Sequence, residues 1–238
     1  MSIERHVTIH ESTGETFESM AVYDPDKGSQ PGLLFFPNFF GTKEWDFEKA
    51  EEVAALGYKV FVVDYYGQGK RGTDMESSSK LMEELVADRA KMRDRLLDAL
   101  TELRKLPGVD QSQCGAIGFC LGGKCVLDLA RAGADLKGGV SFHGVYDAPP
   151  FPNAEMTTKL LVCHGWNDPM NPPEAVTGLA RELTDAGVDW QIHSYGHTGH
   201  AFTADNMPID DDKTFGFQPD ANRRSWKAMQ DFMSETCA

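Results

Sequence analysis

The chain has 238 residues and a formal net charge of -14 at pH 7, from 23 lysines and arginines against 37 aspartates and glutamates. Nucleic acids and anionic membrane surfaces bind proteins through clustered cationic side chains, so this excess of acid argues against both kinds of partner. The length suits one large α/β domain or two small ones. We expect a single domain over residues 1–238, because no linker, repeat or low-complexity tract divides the sequence.

The five cysteines bear on the cellular compartment. Their number is odd, most lie in apolar runs, and they form no Cys-x-x-Cys framework. Reduced thiols in the cytoplasm are the simplest explanation, because stable disulfides occur mainly in oxidising compartments. Residues 1–10 lack the apolar segment of a signal peptide, and no stretch is long enough to span a bilayer. The sequence therefore predicts a cytoplasmic protein.

Short apolar runs predict a series of strands. In chain order they cover residues 7–9, 16–23, 33–36, 59–63, 116–119, 139–143, 160–164 and 190–195. The first two alternate in polarity and flank a glycine turn, which predicts a hairpin. Several of the later runs are continuously apolar, as is typical of strands covered on both faces of a sheet.

Helical spacing of apolar residues fills most of the intervals between the later strands. The spacing predicts helices around residues 47–54, from about 80 to 106, after Cys120, from 173 to 187, and around 226–232. Residues 68–79 and 205–220 are expected to be loops, because they are polar and contain glycine or clustered acids. Strands that alternate with helices predict an α/β fold, a doubly wound and mostly parallel sheet with helices on both faces.

The segment Gly118-Phe-Cys-Leu-Gly-Gly123 joins a predicted strand to a predicted helix. A reactive side chain between glycines at such a turn is the form of a nucleophile elbow, here with the thiol of Cys120 instead of a hydroxyl. Glycine is expected on either side because a Cβ there would collide with the neighbouring strand or helix. The alternative is a glycine-rich turn that contains a buried cysteine and carries no chemistry.

Two further polar residues follow predicted strands, where the loops of a parallel sheet form ligand sites. Asp168 comes after strand 160–164, and His200 comes after strand 190–195. The order nucleophile, acid, histidine is that of the α/β-hydrolase triads. In such a triad His200 would stabilise the thiolate of Cys120, and Asp168 would hold the imidazole in one tautomer.

Each member of this set has an alternative interpretation. Asp168 lies in an Asn-Asp-Pro turn and could instead cap a helix. His197 competes with His200 as the base, and these two with His193 could suggest a metal cluster, although their spacing matches no standard zinc pattern. The remaining candidates fall inside strand patterns, where buried core histidines are usual: His143, His164 and again His193.

The chain resembles the dienelactone hydrolase family of the α/β-hydrolase superfamily. The resemblance covers nearly the whole chain, from Pro31 to Phe232. Its marks are the glycine-cysteine segment above, the segment 161–169, the string His200-Ala-Phe202 and the tail 221–226. It implies the triad Cys120, Asp168 and His200, with His200 preferred to His197 because a small residue and a phenylalanine follow it. It also implies an oxyanion hole made by the N–H groups of Leu121 and Phe39, and no metal or organic cofactor.

The chain departs from the family pattern in two places. Family members usually carry a glutamate where this chain has Asn38, and an amide cannot take a proton. His200 alone could then activate the thiol, or Glu44 or Asp46 could replace the glutamate, or the site could be weak or inactive. The arginines that grip the substrate carboxylate in the family are also missing, since Ala204 occupies one position, and Lys70 or Arg71 could substitute for them.

These departures favour a neutral ester or lactone as the substrate. Four residues are expected to contact it, although the aromatic ones could equally belong to the core: Asn38, Phe40, Tyr66 and Trp166. The sequence predicts a cysteine hydrolase that acts on a small molecule through an acyl-enzyme. The alternatives are a non-catalytic ligand-binding or redox-sensing protein on the same fold, or a thioesterase or acyltransferase. The sequence leaves open whether the chain is a monomer or a homodimer.

Overall fold

The computed structural model describes residues 2–237. Met1 and Ala238, the two ends of the predicted 1–238 domain, lie outside the described residues. The strands are β1 Glu4–Ser12, β2 Glu15–Tyr23, β3 Gln30–Phe36, β4 Lys59–Val62, β5 Val109–Phe119, β6 Gly138–Phe142, β7 Lys159–Gly165 and β8 Trp190–Tyr195. The helices are α1 Glu44–Ala55, α2 Met75–Ala87, α3 Arg89–Lys105, α4 Leu121–Arg131, α5 Pro173–Asp185 and α6 Pro219–Thr236.

The strands of residues 2–237 form one eight-stranded sheet in the order β1-β2-β4-β3-β5-β6-β7-β8. The hairpin β1–β2 is antiparallel, and so is the pairing of β2 with β4. The pairs β3–β4, β6–β7 and β7–β8 are parallel. This arrangement confirms the predicted α/β-hydrolase fold, a mostly parallel sheet interleaved with helices.

The chain divides into two compact units, residues 1–116 and 117–238, with the boundary inside β5. The core of the first unit consists of β3 and β4, whose side chains are almost all buried, together with the apolar stripe of α3. In the second unit α4 packs on β6, and α6 packs on β6 and β7. Parallel β6, β7 and β8 end at the same edge, so the loops that follow them gather there.

The prediction of one long helix from about residue 80 to 106 was wrong. Two helices occupy this region, because Asp88 leaves the helical conformation at φ -119° and ψ 82°. Its carboxylate accepts a hydrogen bond from the N–H of Lys91 at 2.9 Å and so caps the start of α3. The first helix, α2, begins at Met75 inside the predicted loop, where Asp74 caps it in the same way. The stripe of apolar residues gave no sign of the break.

No helix within residues 2–237 combines the length and apolarity that crossing a membrane requires.

Candidate active site

Cys120 lies between the end of β5 and the start of α4, with φ 55° and ψ -114°. A non-glycine residue with positive φ is strained, and such strain is typical of functional turns. The backbone holds the turn on both sides, since the N–H of Cys120 donates to the carbonyl of Phe142 at 3.0 Å and its own carbonyl accepts from Lys124 at 3.2 Å. The thiol is therefore presented half-exposed at the tip of a strand-to-helix elbow.

Glycines make this turn possible through close backbone approaches. A Cβ built on Gly118 would lie 2.1 Å from the carbonyl oxygen of Gly122, which is a main-chain clash that no rotamer can relieve. A Cβ on Gly123 would lie 2.8 Å from the Cα of Gly144, in the loop after β6. The predicted need for glycine beside the cysteine is thus explained by main-chain contacts within this unit.

Replacing Gly118 by alanine is expected to lower the free energy of unfolding by about 3 kcal/mol or more, because the turn must move to admit the methyl group. Chemical denaturation of the purified variant measures the change. Gly178→Ala in α5 is the matched control, since a Cβ there meets nothing within 4 Å. The control is expected to gain about 0.5–1 kcal/mol from helix propensity. Equal stability of the two variants would contradict the steric account.

Asp168 and His200 meet within the second unit. His200 Nδ1 and Asp168 Oδ2 are 2.8 Å apart, and both side chains are almost completely buried. The second ring nitrogen of His200, Nε2, is buried and takes no part in the bond to Asp168. One nitrogen is thus fixed by the carboxylate, and the other is free to exchange a proton.

The backbone around His200 is held by the segment that follows it. The N–H of His200 donates to the carbonyl of Thr214 at 2.7 Å, and the carbonyl of His200 accepts from Gly216 at 3.0 Å. Phe215, between these two residues, forms a β-bridge with His200, and the two rings are 5.5 Å apart. This contact was not predicted, because the segment was expected to be only an acidic loop.

The charge on His200 depends on its neighbours. Burial alone would lower the pKa of His200, but the negative charge of a Cys120 thiolate and the hydrogen bond and charge of Asp168 outweigh burial and raise that pKa to about 10. These surroundings therefore favour the imidazolium form of His200. A histidine cation beside a cysteine is the arrangement that activates cysteine nucleophiles, which makes Cys120 the candidate nucleophile.

Removing the thiol is expected to lower the pKa of His200 from about 10, because the Cys120 charge is the largest of the effects that raise it. A ¹⁵N NMR titration of the imidazole nitrogens in wild type and Cys120→Ala measures the difference. A His200 pKa that stays near 10 in the variant would show that Asp168 alone is responsible.

Further hydrogen bonds hold the carboxylate of Asp168 in place. Its Oδ1 accepts a hydrogen bond from the N–H of Met170 at 2.8 Å. Buried Asn171 donates to the carbonyl of Gly144 at 2.7 Å and lies 3.4 Å from Asp168 Oδ2. Asn171 therefore connects the carboxylate to the loop after β6. Asn171 was not predicted from the sequence, where its position three residues after Asp168 in a turn was the only signal.

His143 also lies beside the site. It follows β6 instead of lying within it, and its φ is 37°. Its ring is 5.0 Å from that of His200 in an edge-on arrangement, and its Nε2 lies 2.8 Å from Thr203 Oγ1. Burial, and secondarily the nearby His200, lower the pKa of His143 well below the usual value. A neutral ring thus packs against the imidazole of His200, a role that its place directly after a strand could have indicated.

The loop after β3 belongs to the first unit. Asn38 Oδ1 accepts a hydrogen bond from the N–H of Phe40 at 3.0 Å, so the amide shapes its own loop. The hydroxyl of Tyr65 donates to the carbonyls of Pro37 and Asn38, and that of buried Tyr66 donates to the carbonyl of Phe39. These bonds fix the peptide planes on both sides of Phe39. The ring of Phe40 packs 4.5 Å from that of Phe39.

The other charged candidates of the first unit have local partners. Glu44 forms an ion pair with Arg5 at 2.6 Å, and Asp46 caps α1 by accepting from the N–H of Lys43 at 2.8 Å. Burial raises the pKa of Asp46 to about 7. Lys70 pairs with a glutamate of β2, and Arg71 donates to backbone carbonyls at 2.7 Å and 3.2 Å. These contacts assign all four a structural role within their own unit.

The remaining candidates lie in the second unit. Trp166, directly after β7, is 48% exposed, and its ring is 6.2 Å from that of His164. His197 is exposed in the turn after β8, and it is His200 that contacts Asp168. Within residues 2–237 no group of three or more His, Cys, Asp or Glu side chains is placed to hold a metal ion. Leu121 is the first residue of α4, so its N–H has no acceptor inside the helix.

Comparisons with known proteins agree with this architecture. Residues 19–237 match the dienelactone hydrolase family. The solved structure m3DLH is 33% identical with a TM-score of 0.93, over 99% of both chains. A dienelactone hydrolase-like promiscuous phosphotriesterase, P91 from metagenomic libraries, is 31% identical with a TM-score of 0.90 over the full length of both chains. Carboxymethylenebutenolidase of Rhodococcus opacus is 27% identical over 188 residues, 75% of this chain and 73% of that protein.

The family match covers most of the chain, and it coincides with the elbow, the Asp168–His200 pair and the strand order described above. The chain belongs to the dienelactone hydrolase family and is a hydrolase of carboxylic ester or lactone bonds.

Proposed function

We propose that this hydrolase uses Cys120 as its nucleophile and cleaves neutral esters or lactones through an acyl-enzyme. The observation that carries the proposal is the Asp168–His200 hydrogen bond of 2.8 Å, with Cys120 as the ionisable group that acts most strongly on the same imidazole. The strained backbone of Cys120 adds support, because such a conformation is retained where function requires it.

In the first half of the reaction the thiolate sulfur attacks the carbonyl carbon, and the carbonyl electron pair moves to the oxygen. The N–H of Leu121, at the positive end of α4, stabilises that oxyanion. The second donor, the N–H of Phe39, is proposed from the family resemblance. The carbon–oxygen bond of the ester then breaks, and the departing oxygen takes the proton from His200 Nε2.

In the second half, water attacks the thioester on Cys120 while His200 Nε2 takes a proton from it. The carbon–sulfur bond breaks, the acid product leaves, and the thiolate and imidazolium are restored. Asp168 stays ionised and holds the ring throughout. Every proton and electron pair is accounted for by these side chains and one water molecule.

This mechanism requires no glutamate at position 38. Asn38 is bonded to the loop that contains it, and the raised pKa of His200 supports the ion pair without a third group. Of the three explanations that the sequence left open, we therefore favour activation by His200 alone.

The substrate class follows from the charged side chains. Lys70 and Arg71 are engaged within the first unit, which supports an uncharged substrate over a carboxylate. Asn38, Phe40, Tyr66 and Trp166 stay our proposed substrate contacts. All five cysteines are free and four are buried, which supports the proposed cytoplasmic location. The acid excess supports the absence of a nucleic-acid partner.

Trapping the intermediate tests the proposal. Rapid mixing with excess 4-nitrophenyl acetate is expected to release one equivalent of nitrophenol in a burst, followed by slower turnover. Mass spectrometry of the quenched protein should find one acetyl group, on the peptide that contains Cys120. Binding without any acetylation would favour the non-catalytic alternative, and faster turnover of acyl thioesters than of oxygen esters would favour a thioesterase.

A second activity is supported by the similarity to P91, a promiscuous phosphotriesterase 31% identical to this chain. Attack of Cys120 on phosphorus would displace an aryl oxide just as attack on carbon does. A diethyl aryl phosphate is the probe, and slow hydrolysis that disappears in Cys120→Ala is expected. Hydrolysis that persists in the variant would exclude this thiol from the reaction.

A further inference from the structure

Residues 210–215, which hydrogen-bond to the backbone of His200, form a compact loop. The carboxylate of Asp210 stabilises this loop. Asp210 accepts hydrogen bonds from the N–H of Thr214 at 2.7 Å and from the N–H of Phe215 at 3.1 Å, and its own N–H donates to the carbonyl of Phe215 at 2.9 Å. These bonds close the loop between residues 210 and 215, so the position of Phe215 is fixed by backbone contacts.

Close contacts then attach this loop to the chain around His200. A Cβ on Gly199 would lie 2.1 Å from the carbonyl oxygen of Thr214, and one on Gly216 would lie 2.3 Å from that of Pro208. Together with the backbone bonds of His200 to Thr214 and Gly216, these contacts leave little freedom for the loop to shift. The orientation of Phe215 relative to the imidazole is therefore part of the fold.

Phe215 is unusual because it touches His200 and remains open to solvent. Its ring is 5.5 Å from the imidazole at an interplanar angle of 57°, yet 38% of the residue is exposed. His143, whose ring also lies beside that of His200, is buried. The outer side of the Phe215 ring is open to solvent and has no packing partner within residues 2–237. A flat apolar group could pack there, beside the imidazole of His200.

The chemistry of the proposed reaction identifies which part of the substrate comes near this face. When the ester bond breaks, His200 Nε2 gives its proton to the departing oxygen, so the alcohol portion lies next to the imidazole. The acyl portion stays attached to Cys120. A side chain that contacts the ring of His200 is therefore placed to select among leaving groups and not among acyl groups.

Charge restricts the leaving group further. Residues 201–218, between His200 and α6, carry four aspartates and a single lysine: Asp205, Asp210, Asp211, Asp212 and Lys213. An anionic leaving group would be repelled by this net negative charge, whereas an uncharged aromatic ring would not.

We propose that Phe215 is a specificity-determining residue whose exposed face binds the alcohol portion of the substrate, and that this portion is an uncharged aromatic group. The inference rests on the proposed function, since it assumes that His200 protonates the leaving oxygen. With an ester substrate, binding to Phe215 favours formation of the acyl-enzyme and has no effect on its hydrolysis, because the alcohol has left by then. The alcohol portion of a lactone stays joined to the acyl group, so the inference applies to esters.

Two acetate esters with leaving groups of similar acidity test the inference: phenyl acetate and hexafluoroisopropyl acetate. Phe215→Ala is expected to lower the ratio of their kcat/KM values, phenyl over fluoroalkyl, by about five- to tenfold, in line with the strength of one aromatic contact. The rate constant for hydrolysis of the acetyl-enzyme should stay the same, because both esters give the same intermediate. Phe215→Tyr should keep the wild-type ratio. Ile209→Ala, which removes an exposed apolar side chain next to this loop, is the matched control and should also keep the ratio.

The outcomes separate this inference from the proposed function. If Phe215→Ala lowers both kcat/KM values and the deacylation rate constant together, Phe215 only supports His200 and the specificity role is wrong. If wild type forms no acetyl-enzyme on Cys120 with either ester, the proposed function itself is wrong. In wild type, 4-carboxyphenyl acetate should have a lower kcat/KM than phenyl acetate at low salt, and an equal or higher value would overturn the preference for an uncharged group.

Discussion

Replacing Cys120 by alanine is expected to lower kcat for ester hydrolysis by on the order of 10⁴- to 10⁶-fold, because no other group in the proposed site can form the acyl-enzyme. Steady-state hydrolysis of phenyl acetate measures the loss. The fold should be unaffected, since alanine removes one sulfur atom from a half-exposed position and leaves the turn unchanged.

Cys163→Ala is the matched control for a thiol in the same unit. Cys163 is buried in β7, and burial raises the pKa of its thiol to about 12, so it holds no reactive thiolate near neutral pH. This variant should keep kcat within a few fold of wild type even if it is less stable. A Cys120→Ala enzyme with more than a tenth of the wild-type kcat would rule out the thiol as the nucleophile.

Replacing Asp168 by asparagine is expected to lower kcat by about 10³- to 10⁴-fold with little change in KM. An asparagine can present its NH₂ group to His200 Nδ1, which selects the wrong tautomer and removes the charge that favours the imidazolium. The measurement is kcat against pH for both enzymes, together with the His200 pKa, which should be lower in the variant.

Asp185→Asn controls for the loss of one negative charge from the second unit, because Asp185 is exposed at the end of α5. It should leave kcat and the pH profile unchanged. If Asp168→Asn lowered stability but kept the wild-type kcat, Asp168 would be a helix cap, the alternative that its Asn-Asp-Pro setting allowed.

The elements of this site that the sequence could predict are those set by local chemistry. Glycines around Cys120 marked a turn whose close contacts are between residues a few positions apart, such as Gly118 and Gly122. Asp168 and His200 were proposed as partners because polar residues after parallel strands meet at one edge. The choice of His200 over His197 came from the family resemblance, and the hydrogen bond to Asp168 agrees with it.

What the sequence could not predict depends on partners far along the chain. His143 was interpreted as a core residue. Its place at the end of a strand was a local signal, but the contact of its ring with that of His200, 57 positions later, is visible only in the structure. Phe215 was missed for the same reason. The break at Asp88 was missed for a different reason. The apolar stripe continues past Asp88, but the side chain of Asp88 caps a new helix there. Asn38 left open which group activates the thiol, because an amide cannot take a proton. In the structure its side chain accepts a hydrogen bond from the backbone of its own loop.

The left-handed backbone of Cys120 also sets a limit on how this protein can be improved. Only glycine adopts φ 55° without strain, so the native chain gives up folding free energy at the residue on which turnover is proposed to depend. A laboratory selection for heat resistance alone would favour glycine at position 120 and discard the nucleophile. Thermostable variants should therefore be sought on the outer helices, at sites such as Gly178, while catalysis is screened in parallel.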